Sequence, residues 1–246
     1  MTATRLAGRA LLRLSPEAPG EDVAGFLQGL VTNDVTAPLP VWAALLSPQG
    51  KVLFDFMVWR EGGDFLLDCE AAAIGALARR LGTYRLRRRI AIAPDTARAV
   101  HWSPGSPDEA RPDPRLAALG GRWLGPAGGD AADAEWTRHR LRHGVAEGLD
   151  ELGSGELLWL ECNADLLNGV SFTKGCYVGQ ENTARMNWRQ KVNRRLLVVP
   201  LARSDPARRR KAWPDLGLAL DHRRIEDIPE ALRPGWMPDQ SAPPGT

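Results

Sequence analysis

The sequence predicts a mixed α+β fold, and three observations carry that expectation. Apolar residues alternate with period two through neighbouring runs at 42–47 and 51–59, around the turn Pro48-Gln49-Gly50, which is the pattern of a hairpin. Apolar residues recur at helical spacing in 21–31, where Val23, Phe26, Leu27, Leu30 and Val31 share a face, and again in 70–81. The 246-residue chain is 43% hydrophobic and 25% charged, enough to bury a substantial core. No apolar run reaches the roughly 18 residues of a membrane span.

Taken in order, residues 9–14 read as a strand that Ser15-Pro16 and Pro19-Gly20 break. The first fifteen residues are basic and acid-free, as transit peptides are, but they run straight into structured sequence, which favours the strand. Thr32-Asn33-Asp34 closes the helix at 21–31 with side chains able to bond to backbone, and Asn33 is also a candidate to line a ligand pocket. In the second hairpin strand Val52, Phe54, Phe56 and Val58 take one face, while Leu53, Asp55, Met57 and Trp59 take the other. Asp55 is thus an acid on an apolar face. A carboxylate there needs an arginine within the fold or a bound ligand, because burying it unpaired is costly.

A strand at 64–69 follows Gly62-Gly63, and Gly82 is expected to end the helix at 70–81. From Tyr84 to Ile90 the chain reads as a strand with Arg85, Arg87 and Arg89 on one side, either paired to acids or open to phosphates, polyglutamate or RNA. Tyr84 is the single aromatic there, so a nucleic-acid platform is not expected. Four prolines make 103–114 a loop between short strands at 100–102 and 122–124. Helix 134–143 carries His139 and His143 four apart, a spacing that binds metal, but with no third ligand it reads as a solvated basic helix.

Net charge is +2, which excludes a chain that binds nucleic acid by bulk charge. Only four lysines occur among 32 basic residues, and Lys174 is one of them. Three widely spaced cysteines, Cys69, Cys162 and Cys176, rule out a CxxC zinc site and suit a reduced, cytoplasmic protein.

The stretch that invites chemistry is 171–187, SFTKGCYVGQENTARMN. Gly175 frees the backbone, Lys174 brings a cation, and 178–187 can be helical, which places Cys176 just ahead of a helix N-terminus. Such surroundings are expected to lower a thiol from its usual value near 8.5 by about 1–2 units. The thiolate is the form that ligates soft metals or attacks electrophiles. Cys69 and Cys162 read as core. With no neighbouring thiol or histidine in sequence, Cys176 looks like half of a shared site.

Lys174 to Glu181, KGCYVGQE, resembles the signature of the YgfZ-type folate-binding family, relatives of the glycine-cleavage T-protein (aminomethyltransferase), and within it the branch of the mitochondrial-type iron–sulfur cluster assembly factor. FLQGLVTNDV at 26–35, GKVLFDFMVW at 50–59, FLLDCEA at 65–71, YRLRRRI at 84–90 and LNGVSFTKGCYVGQENTAR at 167–185 fall in the family's order. The resemblance implies a T-protein-like fold: two interwoven α/β subdomains (about 1–45 with 135–195, and 46–134) around a folate-sized cavity, then a small β-barrel. Here that barrel, at 196–233, is expected to be reduced, with 217–225 its one evident strand, and the proline-rich 234–246 to be a disordered tail.

It also implies tetrahydrofolate as ligand, with Asp55, Asn33, Tyr177, Gln180, Glu181 and Arg185 as candidate binding residues. Cys176, supported by Lys174, becomes the functional thiol and a ligand to a transient iron–sulfur cluster shared with an A-type scaffold partner. The implied role is a folate-binding accessory factor for assembly or repair of [4Fe–4S] proteins, an assembly factor related to aminomethyltransferases rather than an enzyme. Two alternatives stay open: a folate-dependent aminomethyl transferase using Asp55, and an RNA-modification support protein using the basic runs at 85–89 and 207–211.

Overall fold

The structure is a computed structural model that describes residues 3–105, 107–188 and 192–238. Its centre is a five-stranded antiparallel sheet formed by β1 (Arg9–Pro16), β2 (Val41–Leu46), β3 (Val52–Glu61), β4 (Asp64–Glu70) and β5 (Ile90–Asp95) in the order β2-β3-β4-β1-β5. A second sheet joins β6 (Arg98–Ser103), β7 (Arg111–Pro112) and β8 (Gly121–Pro126) in the order β6-β8-β7. The third, formed by β9 (Arg194–Pro200), β10 (Arg209–Trp213) and β11 (Leu218–Arg224), has the order β10-β11-β9. Every ladder between these strands is antiparallel; β2–β3, β3–β4, β7–β8 and β10–β11 join consecutive strands, while β1 pairs with β4 and β5, β9 with β11 and β6 with β8 across longer connections.

The predicted hairpin forms, with one correction. Leu45 pairs with Phe54 and Leu46 with Val52, so Leu53 is an extra residue in β3. This bulge switches faces: Val52 packs with Met57 and Trp59, while Leu53 joins the side of Phe54, Phe56 and Val58. Strict alternation therefore holds only from Phe54 onward.

Two apolar cores lie on opposite faces of the central sheet. One holds Phe56, Val58, Phe65 and Leu67 against α1 (Val23–Gln28) and α2 (Ile74–Arg85). The other holds Trp42, Met57, Trp59, Trp102, Trp136 and Trp159, with α3 (Asp133–Arg142) supplying Trp136. Each large side chain buried this way contributes about 1.5–3 kcal/mol. The helix expected at 134–143 is therefore not simply solvated: Trp136, Arg140 and Leu141 are buried. His139 binds the Ala118 carbonyl and packs on Trp102.

Further departures have local causes. α2 runs through Gly82 to Arg85, because an interior glycine costs a helix only about 1 kcal/mol. Residues 84–89 are consequently the end of α2 and a turn, not a strand with three aligned arginines; the strand begins at Ile90. The C-terminal region has three strands where one was evident, and they form an open sheet rather than a barrel. Strand β10 escapes notice because it is so basic, yet Arg210 pairs with Glu156 and Lys211 with Asp150. Of the expected tail, Trp236 donates to the His143 carbonyl and Met237 is buried with Leu197, Val199 and Ile228; residues 239–246 lie outside the described part. The expected boundary at 45/46 falls inside β2, one residue before its end, and β2 pairs with β3, so both pieces contribute to one sheet.

Candidate functional site

Segments 31–33 and 168–174 are stitched together by polar atoms. Thr32 Oγ1 donates to the Gly169 carbonyl (2.8 Å), and Asn33 Nδ2 donates to the carbonyls of Asn168 (2.7 Å) and Trp42 (2.8 Å). The Ser171 N–H donates to the Thr32 carbonyl, and Lys174 Nζ to those of Val31 (2.6 Å) and Asn33 (3.0 Å). Asn33 thus holds backbone in place rather than presenting its amide to a pocket.

The next residues dock on the β2–β3 turn. Gly179 has φ +84°, and a Cβ there would lie 2.6 Å from the Ser47 carbonyl oxygen, so only glycine lets the chain approach this closely. Asn182 Nδ2 donates to the Gln49 carbonyl (2.6 Å), fixing the first turns of α5 (Gln180–Trp188) to the same turn. Tyr177 is buried, and burial pushes its phenol up to about 12. Lys174 is buried as well, with its ammonium 5.1 Å from the Tyr177 ring centre; burial lowers it to about 8, against a smaller opposing pull from Asp34.

Between these anchors stands Cys176, exposed. Cys69 and Cys162 are buried, and burial pushes the Cys69 thiol up to about 12 and the Cys162 thiol well above its ordinary value. One thiol of three is therefore presented to solvent. The arrangement differs from the expected one in a specific way: Lys174 directs its ammonium to two carbonyl groups, so it secures the loop. On α5, Glu181 and Arg185 form an exposed ion pair at 2.7 Å, and Gln180 is half-buried at the helix start. Among the described residues no group of three or more His, Cys, Asp or Glu side chains could hold a metal ion. The loop offers one soft ligand and no second.

Asp55 belongs to the interior instead, 3% exposed. Its Oδ2 accepts from Trp42 Nε1 (3.3 Å) and its Oδ1 from the Gly148 N–H (3.2 Å). Burial raises its carboxyl, as does Glu147, while Arg9, the Trp42 indole and Arg115 pull the other way. Beside it lies a charge cluster that the sequence did not reveal. Arg122 binds Asp68 (2.9 Å), Asp113 (3.2 Å) and Glu147 (2.8 Å), and Arg115 binds Asp113 and Glu147, both at 2.7 Å. Arg9 binds Asp68 at 2.6 Å. Burial alone would raise Glu147, but Arg122, Arg9, Arg115 and Arg140 together hold it well below the usual range. The available signal was the placement of Arg9, Asp55 and Asp68 among apolar strand residues.

These residues do not fit a folate as arranged. Trp42 packs against Trp159 at a tilt of 54° with ring centres 4.6 Å apart, and the Arg115 guanidinium lies 5.6 Å from the Trp42 ring centre. The cavity that reaches this cluster, bounded by Arg9, Arg140, Glu147 and Gly148, holds about 160 Å³. Pockets for molecules of drug size run to ~300–1,000 Å³.

No family model matches the chain. It is 37% identical over 236 residues to the human mitochondrial iron–sulfur cluster assembly factor IBA57, covering 79% of this chain and 65% of that protein. The mouse protein of the same name is 36% identical over 248 residues, covering 84% of this chain and 68% of the relative. The chain thus spans about two thirds of the length of these curated relatives. Among solved structures, the glycine cleavage system aminomethyltransferase T from Bartonella henselae matches with a TM-score of 0.64 over 92% of this chain and 79% of that one. At 12% identity that likeness shows the fold alone, and the mixed α/β fold is aminomethyltransferase-like. The expectation of a cytoplasmic protein is corrected: the relatives' names place them in mitochondria. Cysteine usage separates reducing from oxidising compartments, not one reducing compartment from another.

Proposed function

Because the chain belongs to the IBA57 family of iron–sulfur cluster assembly factors, we propose that it acts in assembling or repairing iron–sulfur proteins, [4Fe–4S] proteins among them, and that Cys176 is the ligand it contributes. The observation that carries the reading is the contrast among three thiols: two sealed in the core, one exposed on a loop clamped by Lys174, Tyr177 and Gly179. A thiolate is a soft ligand for iron, and clusters are held mostly by four of them. One thiol from this chain therefore needs co-ligands from a partner, and an A-type scaffold carrying the cluster as cargo meets that need.

The finer expectations enter on the terms the residues set. A tetrahydrofolate against Asp55 would have to displace the Trp42 indole or Arg115, so this role is read without one. Titration with tetrahydrofolate, followed by tryptophan fluorescence, is expected to show no saturable change; a change lost in Asp55→Asn would restore the folate reading. The aminomethyl transferase alternative needs the same space. RNA support is disfavoured because 84–89 form no strand that would align Arg85, Arg87 and Arg89, and Arg88, Arg210 and Lys211 are each tied to an acid. The C-terminal sheet is read as the reduced counterpart of the barrel, a unit with its own small core of Leu197, Val199, Ala219, Ile228 and Met237.

The test is rescue. In cells lacking an IBA57 relative and therefore short of [4Fe–4S] enzyme activity, the wild-type chain is expected to restore activity and Cys176→Ala to fail at equal protein level. Full rescue by Cys176→Ala would exclude the thiol from the function.

A further inference from the structure

Between α1 and the turn after α2 lies a groove of about 840 Å³, lined by Gly25, Phe26, Leu30, Tyr84, Leu86 and Arg87 among others. It contains no residue of the thiol loop. Its size is on the scale of two turns of an α-helix ~10 Å across.

Leu86 is the unusual member. It follows the last helical residue of α2 with φ +49° and ψ −113°, in the half of conformational space that favours glycine, and it is 86% exposed. An L-residue at positive φ is strained, because its Cβ crowds the backbone. A leucine side chain in water adds to that cost, and glycine at this place would avoid both. Among the described residues Leu86 belongs to none of the apolar cores.

The rim is basic. Arg85, Arg87 and Arg88 line the groove, and Arg89 is next in sequence. The one acid in the lining, Glu21, is already bound to Arg88 at 2.5 Å and to the Arg89 N–H at 2.9 Å. Arg87 and Arg89 are exposed. An apolar floor, a projecting apolar anchor and a rim of arginines are complementary to a helix with one apolar face and flanking carboxylates.

We propose that this groove docks an acidic amphipathic helix of a partner protein, with Leu86 packing on its apolar face and Arg85 and Arg87 meeting its carboxylates. The proposal does not depend on Cys176.

The experiment is selection of displayed 16-residue peptides on the full chain, followed by affinity measurements on the enriched peptides. Expected are sequences with Leu, Ile or Phe at i, i+3 or i+4 and i+7, flanked by Asp and Glu, whose binding weakens with salt. Leu86→Gly is expected to weaken them about tenfold while melting no lower than wild type, because glycine accepts the backbone angle. Arg87→Glu is expected to weaken them similarly. The proposal is overturned if no such pattern is enriched, if the enriched peptides bind both variants as they bind wild type, or if phosphatidylglycerol vesicles bind the groove while the peptides do not.

Discussion

Lys174 Nζ lies 2.6 Å from the backbone carbonyl oxygen of Val31, 143 residues earlier in the chain. That contact explains why two distant stretches, 31–35 and 171–181, carry the most distinctive residues of the sequence. They are two sides of one clamp, and the exposed thiol is what the clamp presents.

The clamp titrates. Burial lowers the Lys174 amine from 10.5 to about 8, so between those values the unfolded chain binds more protons than the folded one. The contribution of Lys174 to stability therefore rises with pH across about 8 to 10.5, and below about 8 the cost of burying its charge is constant. Urea unfolding at several pH values checks this: wild type should gain on Lys174→Met across that window, and parallel curves would exclude the effect.

Gly179 is the second fastening. Any side chain there collides with the Ser47 carbonyl at positive φ, so Gly179→Ala is expected to cost more than about 1 kcal/mol and to detach α5 from the β2–β3 turn. Hydrogen exchange of the 179–183 amides should speed up well before the global midpoint falls.

Arg122 sits among three carboxylates with its side chain 1% exposed. Arg122→Met leaves Asp68, Asp113 and Glu147 with one cation fewer, and breaking such a buried cluster typically costs about 3–5 kcal/mol. The same cluster sets the acid limb. Arg122 and its neighbours depress Glu147, and Arg115 with Arg122 depresses Asp113, in both cases against burial. Their stabilisation is present above the ordinary values of 4.5 and 3.8 and is lost as pH falls through the lower folded values. The Arg122→Met curve should show a shallower loss toward acid than wild type.

Asp55 runs the opposite way. Its folded carboxyl is raised above the ordinary 3.8, chiefly by burial, so stability falls as pH rises above that value. Asp55→Asn removes this dependence while giving up one of two accepted hydrogen bonds, at a cost of about 1 kcal/mol. Rescue activity is expected to survive the change, because the side chain serves the interior.

Several of these features were legible before the structure. The hairpin announced itself through local alternation, and the exposure of Cys176 against the burial of Cys69 and Cys162 followed from their settings. The inward position of Asp55 was legible too. Its partners were not, since Arg9, Arg115 and Gly148 come from three other parts of the chain. Nor was the direction of Lys174: a long side chain beside a thiol in sequence can point anywhere, and here it serves the helix-to-strand connection instead. The arginines at 85–89 misled because alternation in charge resembles alternation in a strand, whereas α2 simply continues through Gly82.

On the proposed function, Cys176 completes a cluster site shared with a partner. The direct measurement mixes the purified full chain with a cluster-loaded A-type scaffold and follows visible circular dichroism together with the mass of the complex. Wild type should form a stoichiometric complex whose cluster spectrum differs from that of the scaffold alone. Cys176→Ala, which should fold within about 0.5 kcal/mol of wild type because the site is exposed, should leave the scaffold spectrum unchanged. An identical spectral change with Cys176→Ala would contradict the account.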